Sequence, residues 1–229
     1  MLLAERYRSV LERVEASCRG AGRPESDVEL VVVTKNHPAD LVAELYDLGH
    51  RHFGENRDQE AGPKAKELAD SGRKDSSWHF VGQLQSNKVR TVLNYAASIH
   101  SIDRPSLLKE LRKQLSNRSL EIHGFIELNL TDDPGRGGVE PDNLIELAEQ
   151  VLEIPQIRLM GVMAVAGLGV DPRVDFEKTL AASEQLRGVA PSADKLSMGM
   201  SEDFELAIEM GATHIRVGSA ITGPRPNYA

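Results

Sequence analysis

The chain has 229 residues, of which 40% are hydrophobic and 27% charged, and its formal net charge at pH 7 is −8. That length suits one large α/β domain or two small ones, and the acidic balance argues against broad nucleic-acid binding. No apolar stretch approaches the roughly 20 residues that span a membrane, and residues 1–20 lack a signal-peptide core. Because Cys18 is the only cysteine, an intrachain disulfide and a cysteine-based zinc site are excluded, and a cytoplasmic location is expected.

Short apolar runs typical of strands alternate with stretches of helical spacing. The N-terminal helix is predicted to end near Gly20, and its apolar stripe comprises Leu2, Leu3, Val10, Leu11 and Val14. Eight later stretches are predicted as strands: 28–35, 50–53, 78–82, 96–101, 122–130, 157–164, 195–198 and 213–217. Helices are predicted at 38–48, in a polar stretch ending near 68, and at 86–94, 104–115, 141–152, 172–187 and 202–210. Asp103 is predicted to cap the helix 104–115, residues 131–138 form a loop, and the tail 223–226 continues neither element.

Strands that alternate with helices predict a parallel sheet, and eight such units predict a closed (β/α)8 barrel of the TIM type. With its extra N-terminal helix, the barrel is expected to be one domain across residues 1–229. The alternative is an open doubly wound sheet, which carries a glycine fingerprint after its first strand. Here the first strand leads into Lys35-Asn36-His37-Pro38 without a glycine, which favours the barrel. Chemistry is then expected at the C-terminal ends of the strands.

Lys35 closes the first predicted strand, on the same face as Val31 and Val33. A lysine in line with buried valines is costly unless it is needed there, and burial lowers the pKa of an ammonium, which makes the amine a nucleophile able to form a Schiff base. The alternative is a lysine at a strand end that reaches solvent. This stretch alone leaves both interpretations open.

Small, hydroxyl-bearing, glycine-containing turns follow the last two strands, at 197–201 and 216–220. Backbone N–H groups in such turns bind anions, and barrels often bind a phosphate after strands seven and eight. Because Ile215 and Val217 should face the outer helices, Arg216 is predicted to point into the barrel. A lysine, an inward arginine and a phosphate loop together suggest pyridoxal 5′-phosphate (PLP), with its aldehyde at Lys35.

Five motifs resemble the pyridoxal phosphate homeostasis protein family over essentially the whole chain. They are Thr34-Lys35 ahead of Pro38, the Phe-Gly-Glu-Asn at 53–56, the Trp-to-Lys block 78–88, the block 196–201 and the block 215–221. The resemblance implies a PLP fold type III barrel of the alanine racemase N-terminal type, without the C-terminal β domain of the racemases. It also implies that the cofactor is held as a lysine aldimine and is buffered or delivered, which maintains intracellular vitamin B6 and amino-acid homeostasis.

The family's binding residues carry over to seven positions, which are Lys35, Asn56, Met200, Ser201, Arg216, Gly218 and Ser219. By this resemblance Lys35 forms the Schiff base and Asn56 lies beside the cofactor. The turns after strands seven and eight hold the phosphate, with Met200 close by. Arg216 faces the pyridine nitrogen, where its charge disfavours protonation of the ring and weakens the ring as an electron sink. No catalytic residue and no metal ligand is expected.

Three positions depart from the family pattern. His37 stands where a second lysine is often found, Arg57 stands where a tyrosine often follows Gly-Glu-Asn, and Arg136-Gly137-Gly138 replaces Lys-Ser-Gly. If the extra lysines of the family form a secondary or transfer site, that role is open here, since arginine does not readily form an aldimine.

The alternative function is an alanine racemase-like enzyme, which needs a second acid/base opposite the lysine. In those enzymes a tyrosine from an added β domain supplies it, and that domain is expected to be absent because the chain ends just after the last strand. The chain's tyrosines, Tyr7, Tyr46, Tyr95 and Tyr228, are not at strand ends, and His79 lies inside its strand and is expected to be structural. A non-catalytic PLP carrier is therefore favoured, expected to be a monomer, with apo-PLP enzymes as candidate acceptors. A pure interaction protein would leave Lys35 and Arg216 without a shared purpose.

Overall fold

Eight parallel strands form a closed barrel in the computed structural model, which describes residues 1–131, 135–167 and 169–224. The strands are β1 Glu29–Val33, β2 His52–Glu55, β3 Ser77–Phe80, β4 Ala96–Ile102, β5 Ile122–Glu127, β6 Ile157–Met163, β7 Lys195–Ser197 and β8 His214–Val217. Each strand pairs in parallel with the next, and β8 pairs back onto β1. The predicted TIM-type barrel is therefore confirmed. Its C-terminal rim, where the strands end, is called the mouth below.

Helices surround the barrel between successive strands. They are α1 Leu3–Gly20, α2 Ala39–Asp47, α3 Asp58–Asp70, α4 Val89–Val92, α5 Pro105–Leu115, α6 Leu144–Leu152, α7 Pro172–Val189, α8 Phe204–Glu209 and α9 Ser219–Thr222. Within the ranges that the structure describes, none of these helices has the length and apolar character needed to cross a membrane.

The two faces of β1 show how the sequence sets the layers. Leu30 and Val32 join the large apolar cluster between the strands and the helices. Val31 and Val33 face the other way, against Gly54 of β2, where an added Cβ would lie 2.9 Å from Val31 Cγ1. This alternation follows from the two-residue period of a strand. It leaves the barrel interior to the odd-numbered residues of β1.

Several strand boundaries differ from those predicted. β1 ends at Val33, so Lys35 lies beyond the strand rather than in it. β2 begins at His52 rather than at residue 50, because the chain from Gly49 to His50 still caps α2. Gly49 has a positive φ of 98°, and the His50 N–H donates to the carbonyl oxygen of Leu45 at 3.0 Å. That arrangement satisfies the last carbonyls of a helix, so it delays the strand.

Asp103 does not cap α5 as predicted. The N-cap position is Arg104, and no side chain makes a capping bond there. The carboxylate of Asp103 is buried at the mouth instead, where it accepts hydrogen bonds from Arg104 Nη1 at 2.5 Å and from Gln83 Nε2 at 3.4 Å.

The apolar stripe of α1 also differs from the prediction. Leu2 and Leu11 are exposed, and the buried positions are Leu3, Tyr7, Val10, Val14 and Cys18. The observed spacing follows the helical repeat more closely than the predicted one. Residues 132–134 of the predicted loop, residues 225–226 of the predicted tail and Tyr228 lie outside the described residues.

Candidate functional site

Lys35, the expected attachment residue, lies in a tight turn directly after β1. Asn36 has a positive φ of 62°, a conformation that asparagine tolerates better than most residues. The turn is closed by a hydrogen bond of 3.2 Å from the His37 N–H to the carbonyl oxygen of Thr34. Lys35 itself is half-buried. The turn therefore fixes the position from which the amine leaves the rim of the barrel.

A buried ion pair anchors this turn from β2 and α3. Lys64 Nζ donates to the carbonyl oxygen of Thr34 at 2.9 Å and to Glu55 Oε1 at 2.7 Å, and the Thr34 hydroxyl donates to the same carboxylate oxygen at 2.7 Å. Glu60 Oε2 accepts from the Asn36 N–H at 2.7 Å. Burial raises the pKa of Glu55, and the Lys64 ammonium opposes that rise. The backbone on both sides of Lys35 is thus held by charged groups.

Asn56 follows β2 directly and lies at the strand end next to Lys35. Its Oδ1 is buried and has no hydrogen-bond partner among the described residues. Gly82 packs so closely that a Cβ at position 82 would lie 2.5 Å from Asn56 Cβ. A buried polar atom without a partner is costly. Asn56 therefore presents an acceptor that a bound ligand could satisfy.

The hydroxyl of Ser201 joins the turns after β7 and β8. Ser201 Oγ accepts hydrogen bonds from the backbone N–H groups of Gly218 and Ala220, each at 3.3 Å, and from the hydroxyl of Ser219 at 3.3 Å. Donors that converge on one oxygen can equally converge on the oxygens of an anion. The geometry suits a phosphate-binding turn.

The turn after β8 lies beside the strand that leads to Lys35. β8 pairs with β1 so that Val217 is opposite Val32. A Cβ at Gly218 would lie 3.4 Å from the carbonyl oxygen of Val33, the last residue of β1. The donors around Ser201 Oγ and the primary amine of Lys35 therefore lie beyond the ends of two neighbouring strands.

Arg216 lies inside the barrel, where it is almost completely buried. Its Nη1 donates to Ser197 Oγ at 2.6 Å and its Nη2 to the carbonyl oxygen of Ala164 at 2.8 Å. Burial lowers the pKa of Arg216 to about 10, against the opposing charge of Glu127, so the guanidinium stays protonated at neutral pH. Its position is fixed by two neighbouring strand ends.

A row of side chains continues from Arg216 into the barrel. The Ser197 hydroxyl lies 2.8 Å from His100 Nδ1, and His100 Nε2 lies 3.0 Å from His79 Nδ1. Burial lowers the pKa of His79 to about 3 and that of His100 well below its ordinary value. Both rings are therefore neutral at pH 7 and form a hydrogen-bonded path between the two ends of the barrel.

Glu127, the last residue of β5, adds an acid at the mouth. In a ring of eight strands β5 is diametrically opposite β1, so Glu127 faces the Lys35 side across the opening. Burial, followed by the charge of Asp103, raises the pKa of Glu127 to about 7. Its Oε2 is buried and lacks a hydrogen-bond partner within the described part of the chain.

The N-terminal helix holds the turn after β8 in place from outside. Arg6 of α1 donates from Nε to the carbonyl oxygen of Ile221 at 2.6 Å and from Nη2 to that of Thr222 at 3.2 Å. These are carbonyls of the short α9, which follows Gly218. The extra helix therefore braces the last turn of the barrel.

The three departures from the family pattern have separate settings. His37 is buried, and burial followed by the charges of Lys64 and Arg6 lowers its pKa. Arg57 is exposed, and its Nη1 lies 3.8 Å from Glu60 Oε1. Arg136 Nη2 donates to the carbonyl oxygens of Val165 and Ala166 at 3.1 and 3.3 Å, which ties the loop after β5 to the loop after β6.

The seven expected binding residues comprise one contacting group of three, two residues at the adjoining strand ends, the inward Arg216 and Met200. Ser201, Gly218 and Ser219 contact one another, whereas Lys35 and Asn56 lie at the ends of the adjoining strands. Met200 takes part through its backbone: its N–H donates to Asp203 Oδ1 at 2.5 Å and shapes the turn that presents Ser201.

Sequence reasoning missed Lys64, His100 and Glu127, which support the site, and it placed Glu55 and Ser197 in motifs without giving either a role. Glu127 carried a usable signal because it alternates with the interior residue Phe125 at the end of β5. Lys64 carried none, since it stands in a charged stretch of α3 that is typical of an exposed helix.

Comparison with known proteins agrees with this geometry. The family model described as the alanine racemase N-terminal domain matches residues 11–226. A pyridoxal phosphate homeostasis protein from Aquifex aeolicus is 38% identical over 98% of this chain and 99% of its own length. The protein of the same name from Escherichia coli strain K12 is 34% identical, over 97% of each chain.

Solved structures give the same result. PipY of Synechococcus elongatus PCC7942, solved without PLP and with PLP bound, is 35% identical, with TM-scores of 0.86 and 0.84 over 97% of this chain and all of PipY. Alanine racemase from Corynebacterium glutamicum shares the fold at a TM-score of 0.66 and 15% identity, over 95% of this chain and 61% of the racemase. The chain therefore belongs to the pyridoxal phosphate homeostasis protein family and carries the alanine racemase N-terminal domain.

Proposed function

We propose that this protein binds pyridoxal 5′-phosphate at the mouth of the barrel, attached through Lys35, and buffers or delivers it in vitamin B6 and amino-acid homeostasis. The names of the curated relatives and the PLP-bound structure of PipY support this function. One observation carries the proposal. The Ser201 hydroxyl accepts hydrogen bonds from the N–H groups of Gly218 and Ala220, in a turn suited to an anion beside β1, the strand that leads into the Lys35 turn.

The residues at the mouth fit the chemical groups of this cofactor. Ser201, Gly218 and Ser219 would hold the phosphate, and Lys35 would hold the aldehyde carbon. The buried, unpartnered Oδ1 of Asn56 would accept a hydrogen bond at the edge of the site. When bound, PLP supplies an electrophilic carbonyl carbon and an electron-withdrawing ring. We also propose that the barrel acts as one cofactor-binding domain.

Arg216 favours a carrier or a racemase over a transaminase. Its guanidinium is held by Ser197 and Ala164 and is almost fully buried, so it has little freedom to leave the site. Guanidinium groups have donors and no acceptor, so Arg216 could not stabilise a protonated ring nitrogen facing it. A neutral ring nitrogen weakens the electron withdrawal on which transamination depends.

The racemase alternative would require a second acid/base across from Lys35. The tyrosines in the described part of the chain are engaged elsewhere: Tyr7 with His50, Tyr46 with Asp75 and Tyr95 with Asp58. Glu127 is the observation that favours the alternative, because its raised pKa and its place opposite β1 would suit a proton donor. We propose the carrier. An assay for D-alanine after incubation of the loaded protein with L-alanine separates the two functions. Sustained turnover that Glu127→Gln abolishes would establish the racemase.

Attachment is tested by reducing the PLP-loaded protein with borohydride and mapping the modified peptide. Wild type is expected to carry the pyridoxyl group on Lys35, and Lys35→Ala is expected to lose both the modification and the visible absorption band. Lys195→Ala is the matched control, since Lys195 is also half-buried but begins β7 at the opposite end of the barrel. A modified peptide that lacks residue 35 would place the attachment elsewhere.

Delivery, the cytoplasmic location and the monomeric state are further parts of the proposal. The loaded protein should reactivate an apo-PLP enzyme even when a reagent that traps free PLP is present. If the trap abolishes reactivation, the protein only releases the cofactor. Light scattering during size-exclusion chromatography should give a mass near 25.1 kDa, that of one chain.

A further inference from the structure

A second cluster of chemically active side chains lies inside the barrel, at the end opposite the mouth. Glu29, His52 and His214 are the first residues of β1, β2 and β8, and His79 lies in β3. These four strands are neighbours in the order β8, β1, β2, β3. Their side chains therefore converge on one region of the interior, well separated along the strands from the turn that carries Lys35.

The donor atoms of this cluster are close together. His52 Nδ1 lies 3.2 Å from Glu29 Oε2 and 3.2 Å from His79 Nε2. The Nε2 atoms of His79 and His214 each lie 3.4 Å from Glu29 Oε1. For Glu29, His52 and His79, the potential ligand atoms all lie within 4.8 Å of one another.

These separations match the edges of a tetrahedral metal site. Zinc binds histidine nitrogen and carboxylate oxygen at about 2.0–2.2 Å, so neighbouring ligand atoms of a tetrahedron lie roughly 3.3–3.5 Å apart. The observed distances of 3.2 to 3.4 Å fall at or just below this range. Imidazole nitrogen and carboxylate oxygen are also a ligand set that zinc prefers.

The outer contacts are those of metal-binding histidines. In metal sites the second ring nitrogen of each histidine is usually held by another polar group, which fixes the orientation of the ring. Here His79 Nδ1 is held by His100 at 3.0 Å, and His214 Nδ1 by the Thr213 hydroxyl at 2.9 Å. In both rings the nitrogen that faces Glu29 is the one left for an ion.

The cluster combines an unsatisfied atom with a route from solvent. Glu29 Oε1 is buried and has no hydrogen-bond partner within the described ranges. The side chains of Glu29 and His52 are 31% and 36% exposed, and both line a surface depression of about 390 Å³. An ion could therefore reach Glu29 and His52 from solvent, and His79 would bind it from inside the barrel.

We propose that Glu29, His52 and His79, with His214 beside Glu29, form a binding site for a divalent transition-metal ion of the zinc type, separate from the cofactor site. The alternative is a purely structural hydrogen-bonded cluster, in which Glu29 pairs with His52 and no ion binds. The two interpretations differ in whether the protein takes up one metal ion per chain.

The experiment uses untagged, full-length protein that is treated with EDTA and dialysed. Zn²⁺ is titrated by calorimetry and by competition with a chromophoric chelator, and the retained metal is counted by elemental analysis. Wild type should bind one Zn²⁺ per chain. Glu29→Gln and His52→Gln, two partly exposed positions that should tolerate substitution, should each weaken binding by about 100-fold or more, since loss of an outer-shell partner alone costs 10–100-fold. His123→Gln is the matched control, a half-buried histidine of β5 outside the cluster, and should bind as wild type does.

Circular dichroism of each variant shows whether it is folded, and Glu29→Gln and His52→Gln should match wild type. The proposal is overturned if wild type retains no stoichiometric Zn²⁺. It is also overturned if Glu29→Gln and His52→Gln bind as tightly as wild type, or if His123→Gln loses as much affinity as they do. Metal uptake is read without PLP, so failure here would leave the function proposed above unaffected.

Discussion

The ammonium of Lys64 lies 2.9 Å from the carbonyl oxygen of Thr34, the residue directly before Lys35. A side chain of α3 therefore holds the backbone of the turn that carries the proposed attachment lysine. Because the same ammonium is paired with Glu55 at 2.7 Å, the anchor depends on two buried charges at once. Such a pair is strongly coupled, so removal of either partner should disturb both stability and binding.

Replacement of Lys64 by methionine should leave Glu55 buried without its counter-charge. Removal of one partner of a buried ion pair costs about 3–5 kcal/mol, so the free energy of unfolding should fall by that order. Lower pH should restore part of the loss, because Glu55 takes up a proton as the pH falls. PLP affinity should fall as well, since the turn at Lys35 loses its anchor. Urea denaturation and PLP titration measure the two effects.

Lys66→Met is the control, because Lys66 belongs to the same helix but is exposed and pairs with the exposed Asp70. It should change stability by well under 1 kcal/mol. Equal PLP affinity in Lys64→Met and wild type would show that the anchor does not position Lys35.

The raised pKa of Glu127 predicts that the free energy of unfolding falls as the pH rises. The folded protein holds this proton up to about pH 7, whereas the ordinary value is 4.5. Between these values the folded state binds more protons than the unfolded state, so stability falls as the pH rises through this window and is constant above it. The shift from 4.5 to about 7 corresponds to roughly 3 kcal/mol.

Glu127→Gln removes this dependence. Its free energy of unfolding, relative to wild type, should rise between pH 4.5 and 7 and then level off. Denaturation at several pH values measures the difference. Glu149→Gln, at an exposed position of α6, should follow the wild-type profile. Parallel curves for Glu127→Gln and wild type would contradict the assignment of a raised pKa.

Loss of the brace between α1 and α9 should weaken the anion site without changing any residue in it. Arg6→Met removes hydrogen bonds to the carbonyls of Ile221 and Thr222, each worth about 1 kcal/mol. A lower melting temperature and weaker binding of PLP and of inorganic phosphate are expected. Arg8→Met, an exposed position in the same helix, should change neither. If phosphate binds Arg6→Met as tightly as wild type, the brace does not shape the turn.

Gly82 should be intolerant of a methyl group because of its closeness to Asn56. A Cβ there would meet Asn56 Cβ at 2.5 Å and its carbonyl oxygen at 2.6 Å, and backbone cannot move aside cheaply. Gly82→Ala should therefore displace Asn56, destabilise the protein by about 1–3 kcal/mol and reduce PLP affinity. Gly188→Ala, in open space within α7, should instead stabilise by about 0.5–1 kcal/mol. An unchanged affinity in Gly82→Ala would remove Asn56 from the site.

Hydrophobic periodicity was sufficient to predict the barrel, the two faces of β1 and the inward direction of Arg216 on β8. Arg216 was predicted to lie inside because Ile215 and Val217 flank it, and the two apolar residues do join the outer cluster. The strand ends were harder to predict. The fifth strand was predicted to reach residue 130 because Leu128 and Leu130 extend the apolar run, and this concealed Glu127 as the residue at the mouth.

Contacts between distant segments were beyond a single sequence. Nothing local distinguishes the buried Lys64 from the exposed Lys66 two residues later, since both stand in a charged helix. The histidines of the interior belong to different strands and meet only when the sheet closes.

An ion at His79 would fix the direction of the hydrogen bonds along the path from Arg216 through Ser197 and His100 to His79. The Ser197 hydroxyl accepts from Arg216 and has one hydrogen and one further lone pair, so it can donate to His100 Nδ1 or accept from it. An ion that coordinates His79 Nε2 would place the hydrogen of that ring on Nδ1, so His100 would accept at Nε2 and donate from Nδ1 to Ser197. Nitrogen-15 spectra of His79 and His100 would therefore detect the binding of an ion at the far end of the barrel. They would detect it through hydrogen bonds that reach Arg216, close to the proposed PLP site.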